Sequence, residues 1–248
     1  MSSDGGVMLV EQAERRLGVV AKLASVIADD RDPRKVRHSV EEMLPQRVFQ
    51  IACGYEDCND ANDLRFDPVF KSAVGWLPQS DPDLAAQPML SRFADLIGRT
   101  ELYRMSEVLV DAFVSGHDEA PNQVIINIDA TDDPSHGQQQ LAGFHGYYDE
   151  HCYLPLIVTA GADDRPDELL AAVLRPGNTH AGTGAVTVLK RIVARLQEAW
   201  PGVSIILRGD SGFARPEIYQ WCERVGLQFA SSCPLQNLWP LLLCRMRA

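Results

Sequence analysis

The chain has 248 residues and a mass of 27.4 kDa, enough for one large domain or two ordinary ones. Its 46% hydrophobic and 23% charged content is that of a globular protein, and no apolar run approaches the roughly 18 residues that a membrane span needs. The net charge of −11 argues against a partner held mainly through its phosphates, although residues 1–128 carry −8 of it and residues 129–248 only −3, so a local basic face is not excluded.

The first half reads as helices. Val10, Leu17, Val20, Ala24 and Ile27 recur at helical spacing with charges between them. Asp32-Pro33 has the form of an N-cap followed by proline at the first helical position, and Val36, Val40, Leu44, Val48 and Ile51 give the helix it opens one apolar face. Pro45 lies inside that helix and is expected to kink or split it. Asp67-Pro68 opens a short third helix. Gln87-Pro88 precedes a longer stretch through Leu96, Met105, Leu109 and Phe113, with a break expected near Gly98-Arg99-Thr100. The polar residues 115–122 then mark a domain boundary.

Beyond the boundary the hydrophobic period changes. Val124, Ile125, Ile126, Asn127 and Ile128 form a short β-branched run, read as a buried strand. Residues 141–148 and 152–160 read as two more strands joined by a turn at Asp149-Glu150. Residues 185–200 form an amphipathic helix with Val188, Ile192, Leu196 and Trp200 on one face. Residues 203–207 are a fourth strand, 216–225 a helix opened by Arg215-Pro216 and closed by Gly226, and 227–231 a fifth strand. Three strands in series suit an antiparallel meander, and strands separated by helices suit parallel crossovers. The fold class is therefore α/β: a ribonuclease-H-like mixed sheet over 119–248, expected to be incomplete, preceded by an all-α N-terminal domain over 1–118.

Two carboxylates stand out by position. Asp129 follows directly on the first strand, and Asp210 follows Ile205, Ile206, Leu207, Arg208 and Gly209 in the same way. Ligands gather at the carboxyl ends of strands in α/β sheets, and hard divalent cations take carboxylate oxygen. Two such cations about 3.5–4 Å apart can activate a nucleophile and stabilise a leaving oxygen in phosphoryl transfer. Aspartate is also a common turn residue after a strand, and both readings are open on the residues alone.

Several blocks resemble one family. The stretch Asn127-Ile128-Asp129-Ala130-Thr131-Asp132-Asp133-Pro134-Ser135-His136-Gly137-Gln138-Gln139 resembles the first catalytic block of bacterial insertion-sequence transposases with a group-1 DDE domain. His145-Gly146-Tyr147-Tyr148-Asp149 and Cys152-Tyr153-Leu154-Pro155-Leu156 look like the strands that follow it, and Arg208-Gly209-Asp210-Ser211-Gly212-Phe213 like the second catalytic block. Residues 48–57 and 87–92 resemble the family's helical N-terminal region. The resemblance covers roughly residues 10–230. It implies that Asp129 and Asp210 are the first two catalytic, metal-binding carboxylates. It also implies a magnesium cofactor, transposon-end DNA as partner, a homodimer in intact relatives, and strand cleavage and joining by in-line displacement at phosphates.

The family's third carboxylate is a Glu well beyond the second Asp. After Asp210 the only acidic residues are Glu217 and Glu223, both on the helix before the fifth strand, and neither matches that position. From about residue 232 the tail departs from the family pattern, so a truncated copy, inactive alone, is expected. The alternatives are a non-catalytic DNA-binding remnant and a protein without a nucleic-acid role.

Lesser features take plainer readings. Asp132 and Asp133 read as a turn before Pro134, and His136 with residues 138–140 as a solvated loop. The glycine-rich residues 176–184 lack the Gly-Lys-Ser/Thr ending of a nucleotide loop and read as a connection with Thr183 near a helix start. Arg92, Arg99 and Arg104 could meet phosphates or simply face water. The cysteines Cys53, Cys58, Cys152, Cys222, Cys233 and Cys244 form no Cys-x-x-Cys pair and read as reduced thiols. No basic leader opens the chain at residues 1–6, so a cytoplasmic protein is expected.

Overall fold

The computed structural model describes residues 4–137, 139–163 and 165–232. They form two compact units that divide between Val108 and Leu109.

The first unit is helical: α1 Val7–Leu17, α2 Val19–Ser25, α3 Val40–Ala52, α4 Ala61–Leu64, α5 Pro68–Ala73, α6 Gln87–Leu96 and the greater part of α7 Arg99–Ser115. The helix expected from Val10 to Ile27 is two helices, because Gly18 at φ 63° takes the left-handed conformation that ends α1. Its apolar face is also phased differently. Val7 and Glu11 are buried, whereas Leu17 is 65% exposed.

The helix expected at Asp32-Pro33 begins only at Val40. Asp32 instead accepts the Arg34 backbone N–H in a local turn, and the α3 start is set by a capping box in which Glu42 accepts the Ser39 N–H at 2.9 Å. Pro45 sits inside α3 without splitting it. The Asp67 cap and the break before Arg99 fall as expected, with Asp67 accepting from Val69 and Phe70.

Two apolar clusters fill this unit. Val20, Ala24, Val40, Met43, Leu44, Leu90 and Phe93 form one, and Val7, Phe49, Leu64, Phe70 and Leu84 the other. Gln46 is buried between α3 and the segment before α6, where it exchanges two hydrogen bonds with Ala85 at 2.8 and 2.9 Å.

The second unit contains β1 Gln123–Ala130, β2 Asp133–Pro134, β3 Gly143–His145, β4 Glu150–Tyr153, β5 Leu156–Ala162, β6 Glu168–Val173, α8 Ala185–Ala199, β7 Ser204–Asp210, α9 Pro216–Val225 and β8 Gln228–Ser232. The main sheet has the order β6-β5-β1-β7-β8. β1, β5 and β6 are an antiparallel meander, and β7 and β8 run parallel to β1. This is the ribonuclease-H-like arrangement, with five strands among the described residues.

The strands are not all the expected ones. Residues 141–148 do not enter the main sheet. Only Gly143–His145 is extended, in a separate small sheet of order β2-β4-β3. Residues 152–160 belong to two strands in two sheets, parted at Leu154-Pro155, where proline withdraws a ladder donor. The third meander strand is β6, which lies outside the expected strands. Asp133-Pro134 pairs with Tyr153 and Cys152 rather than forming a turn.

One face of the main sheet is packed. Val124, Ile126, Ile128, Leu156, Val158, Ile205 and Leu207 meet Leu189, Ile192, Val193 and Leu196 of α8, Ile218 and Trp221 of α9, and Val110 and Phe113 from the last turns of α7. The opposite face carries half-buried Ile125, Ile157 and Ile206 together with Asn127 and Arg208.

Candidate active site

β1 and β7 are parallel neighbours in register from Gln123↔Ser204 to Ile128↔Gly209. Side chains alternate along each strand, so Ile126, Ile128, Leu207 and Gly209 face the core while Asn127, Asp129, Arg208 and Asp210 face the other way. The register partners Asn127 and Arg208 are in direct contact, Nε of Arg208 donating to Oδ1 of Asn127 at 2.6 Å. Asn127 in turn donates to Asp167. Two residues further along both strands stand Asp129 and Asp210, side by side on the same face at the carboxyl edge.

Backbone donors hold each carboxylate. Oδ1 of Asp129 accepts the Ala130 N–H at 2.9 Å, and Oδ1 of Asp210 accepts the Gly212 N–H at 2.9 Å at the start of a 3-10 turn, Ser211–Phe213. Both side chains are exposed to solvent, open to an incoming ligand.

The small sheet brings a third group to this edge. The phenol of Tyr148 is raised above the usual tyrosine range, first by burial and then by the negative field of Asp132, Tyr147, Asp129 and Asp210. A phenol near both carboxylates therefore stays protonated at neutral pH and is available as a hydrogen-bond donor. The residues were legible only as part of a strand; the Tyr147-Tyr148 pair was the one available clue. Asp132, expected in a turn, contributes to this field, and His136 remains in a loop. Gln138 lies outside the described residues.

Arg175 anchors the surroundings. It is 8% exposed, and its guanidinium donates to three carbonyls: Leu154 at 2.8 Å, Ala181 at 2.7 Å and Thr183 at 2.9 Å. The glycine-rich connection is thereby fixed against the segment joining β4 to β5, and its glycines pack closely on the turn after Asp210. A Cβ on Gly177 would lie 2.3 Å from the Cys152 carbonyl oxygen, and one on Gly212 would lie 3.0 Å from Cβ of Ala181. Nothing in the sequence singled out Arg175, because a lone arginine at a strand end is ordinarily solvated.

Two adjacent carboxylates on neighbouring strands fit one hard divalent cation, whose remaining positions water can fill. Among the described residues no group of three or more His, Cys, Asp and Glu converges as a metal cage. Glu217 and Glu223 lie on α9, and Glu217 accepts from Arg215 at 3.0 Å. The four described cysteines are free thiols, with burial raising Cys152 and holding Cys222 up at about 11. Cys233 and Cys244 lie outside the described residues. Arg92, Arg99 and Arg104 are exposed on α6 and α7.

Residues 1–235 match the family model of the transposase DDE domain, group 1. The chain belongs to this family. Transposase DDE domains serve DNA transposition and typically work with a divalent metal ion. No curated protein matches the chain in sequence. Among solved structures, the Drosophila P element transposase in its strand transfer complex is similar at 11% identity and a TM-score of 0.30, over 74% of this chain and 40% of that one. The piggyBac transposase in a synaptic complex with hairpin DNA is similar at 11% identity and a TM-score of 0.37, over 94% of this chain and 51% of that one. The chain thus spans about half or less of the length of those two proteins. Among the described residues, no helix is long and apolar enough to cross a membrane.

Proposed function

We propose that the second unit is the phosphoryl-transfer half of an insertion-sequence transposase. Asp129 and Asp210 would hold a divalent cation, magnesium, against a DNA phosphate, and the helical residues 1–118 would engage transposon ends. The observation that carries this reading is the β1–β7 register, which sets the two aspartates side by side within a family match of 235 residues.

A cation held there supplies Lewis-acid activation of a nucleophile and charge neutralisation at phosphate. The chain's own residues do the rest. Asp129 and Asp210 are pinned by the Ala130 and Gly212 amides, so their oxygens need little reordering to meet a ligand. Tyr148, protonated beside them, can donate to a phosphate oxygen or a bound water. A chain of net charge −11 repels DNA at long range, so cation binding and DNA binding should reinforce each other. A second cation needs further carboxylate oxygen, so the described site suits one. We assign the protein to the cytoplasm, where transposon ends in bacterial DNA are accessible.

Titration calorimetry with Mn²⁺ and Mg²⁺, alongside nicking of supercoiled plasmid, tests the assignment. Wild type is expected to bind one cation. Asp129→Asn and Asp210→Asn should each weaken it at least about ten-fold with unchanged circular dichroism, since each removes one of two charged ligands. Unchanged cation affinity in both variants would overturn the reading.

A further inference from the structure

The hairpin of β3 and β4 carries aromatic rings into water beside the carboxylate edge. Tyr147 is 85% exposed and Phe144 49% exposed. They are not scattered. Tyr147 meets Tyr148 edge-on, with centroids 5.1 Å apart and planes at 86°, and Tyr148 lies 4.8 Å from His145. On the same hairpin Phe144 meets His151 at 5.5 Å and 66°. The edge-to-face contacts at Tyr147–Tyr148 and Phe144–His151 fix ring orientation while covering only one face of one ring in each pair, whereas a parallel stack covers a face of both. Clustered aromatic surface left open to water marks a contact site more often than chance placement.

The charge around these rings narrows what they can contact. Residues 105–164 contain no lysine or arginine, while Asp132, Asp133, Asp149 and Glu150 lie on or beside the hairpin. The hairpin itself therefore offers a sugar-phosphate backbone no cationic partner, and what it offers a nucleic acid is ring face. The hairpin also adjoins the proposed reaction centre through the backbone: β4 pairs with Asp133-Pro134, which follows Asp129 by four residues, and leads into β5, whose Leu156 and Ile157 pair with Ala130 and Asp129.

We infer that the β3–β4 hairpin is a stacking platform for unpaired nucleobases of the strand whose phosphate lies at Asp129 and Asp210, with Tyr147 as its principal ring. This rests on the proposed function, since the occupant is the DNA that function requires. Stacking on an aromatic side chain is tolerant of base identity, because every base has a π-face. The platform thus selects melted or frayed DNA over intact duplex without reading sequence, a preference suited to cutting at a terminus.

The experiment uses the full chain with Mg²⁺ and two DNA probes of the same arbitrary sequence. One is a blunt duplex with an internal 2-aminopurine, the other a duplex with a single-stranded extension carrying 2-aminopurine. Wild type should bind the extended probe more tightly and quench its unpaired base, and the preference should persist between about 50 and 200 mM salt because it does not come from phosphate contacts. Tyr147→Ser, at a site too exposed to disturb folding, should weaken extended-probe binding about ten-fold and leave blunt-duplex binding unchanged. Tyr147→Phe should restore the preference. Equal wild-type affinity for both probes with no quenching would overturn the platform while leaving the proposed function intact, as would an unaltered Tyr147→Ser. A Tyr147→Ser loss equal on both probes would also overturn it, indicating a general contact. Failure of wild type to bind either probe would remove the proposed function and the platform together.

Discussion

Gly209 stands on β7 just before Asp210, facing the core with no room for a methyl group. A Cβ there would lie 2.9 Å from Cγ1 of Ile128 and 3.2 Å from Cβ of Phe213, both in the packed core under the site. Gly209→Ala is therefore expected to destabilise the second unit by about 1–3 kcal/mol, the usual cost of overpacking, readable as a lower urea midpoint. Because the displaced strand carries Asp210, the same substitution should weaken Mn²⁺ binding. Unchanged stability would mean that Ile128 yields freely.

His38 makes a different residue-level prediction. It is 3% exposed and stacked on Trp76 at 5.5 Å, and its Nε2 has no hydrogen-bond partner among the described residues. Burial holds its imidazole below the ordinary value near 6.5, against the opposing pull of Glu42 and with Arg37 and Arg31 adding to the depression. The unfolded chain then takes up a proton below about pH 6.5 that the folded one refuses. Stability is full above that pH and falls as the pH drops through the folded value. Chemical denaturation between pH 7.5 and 5 should show this loss, and His38→Leu should flatten it. An identical slope in that variant would assign the effect elsewhere.

At the scale of elements, what could be read in the sequence follows from where local chemistry dominates. α9 was legible because Arg215-Pro216 and Gly226 punctuate it at both ends, and α5 because Asp67 caps it. α3 was misplaced at its start because Asp32-Pro33 is as good a cap on paper as the Ser39–Glu42 box that the structure uses. That choice is testable. Glu42→Ala should cost about 1 kcal/mol in the first unit by freeing the Ser39 N–H, and Glu42→Gln should recover most of it, with guanidinium melts as the measure.

β6 was invisible for another reason. Glu168, Leu169, Leu170, Ala171, Ala172 and Val173 bury only their middle two residues, and the pairing with β5 slips between Val158 and Thr159, so no period of two survives. Residues 141–148 misled because aromatic β-formers there are exposed on a hairpin rather than buried in a sheet. The two aspartates were visible as strand-end carboxylates. Tyr148 and Arg175 were not, since their roles depend on a small sheet and a connection folding back from distant sequence.

At the scale of the whole molecule, the apolar clusters of the two units share no residue among the described residues. The first unit's clusters draw on residues from Val7 to Met105, and the second unit's on residues from Val110 to Phe229. Cooperativity in unfolding comes from a shared packed interior, and a chain with separate cores need not melt in one step. Calorimetry of the full chain is accordingly expected to show two transitions. Leu189→Ala removes three carbons from the fully buried face of α8, which should cost about 2–5 kcal/mol and lower one transition by roughly 10 °C. Met43→Ala, in the first unit's core, should lower the other by a similar amount. Each substitution should leave the second melt in place. A single transition displaced by both would mean that the units unfold as one body. With two transitions, adding Mn²⁺ offers a further discrimination: a ligand raises the melting point only of the unit that binds it. The transition sensitive to Leu189→Ala should therefore rise with Mn²⁺, and that rise should vanish in Asp210→Asn while the Met43-sensitive transition stays where it was.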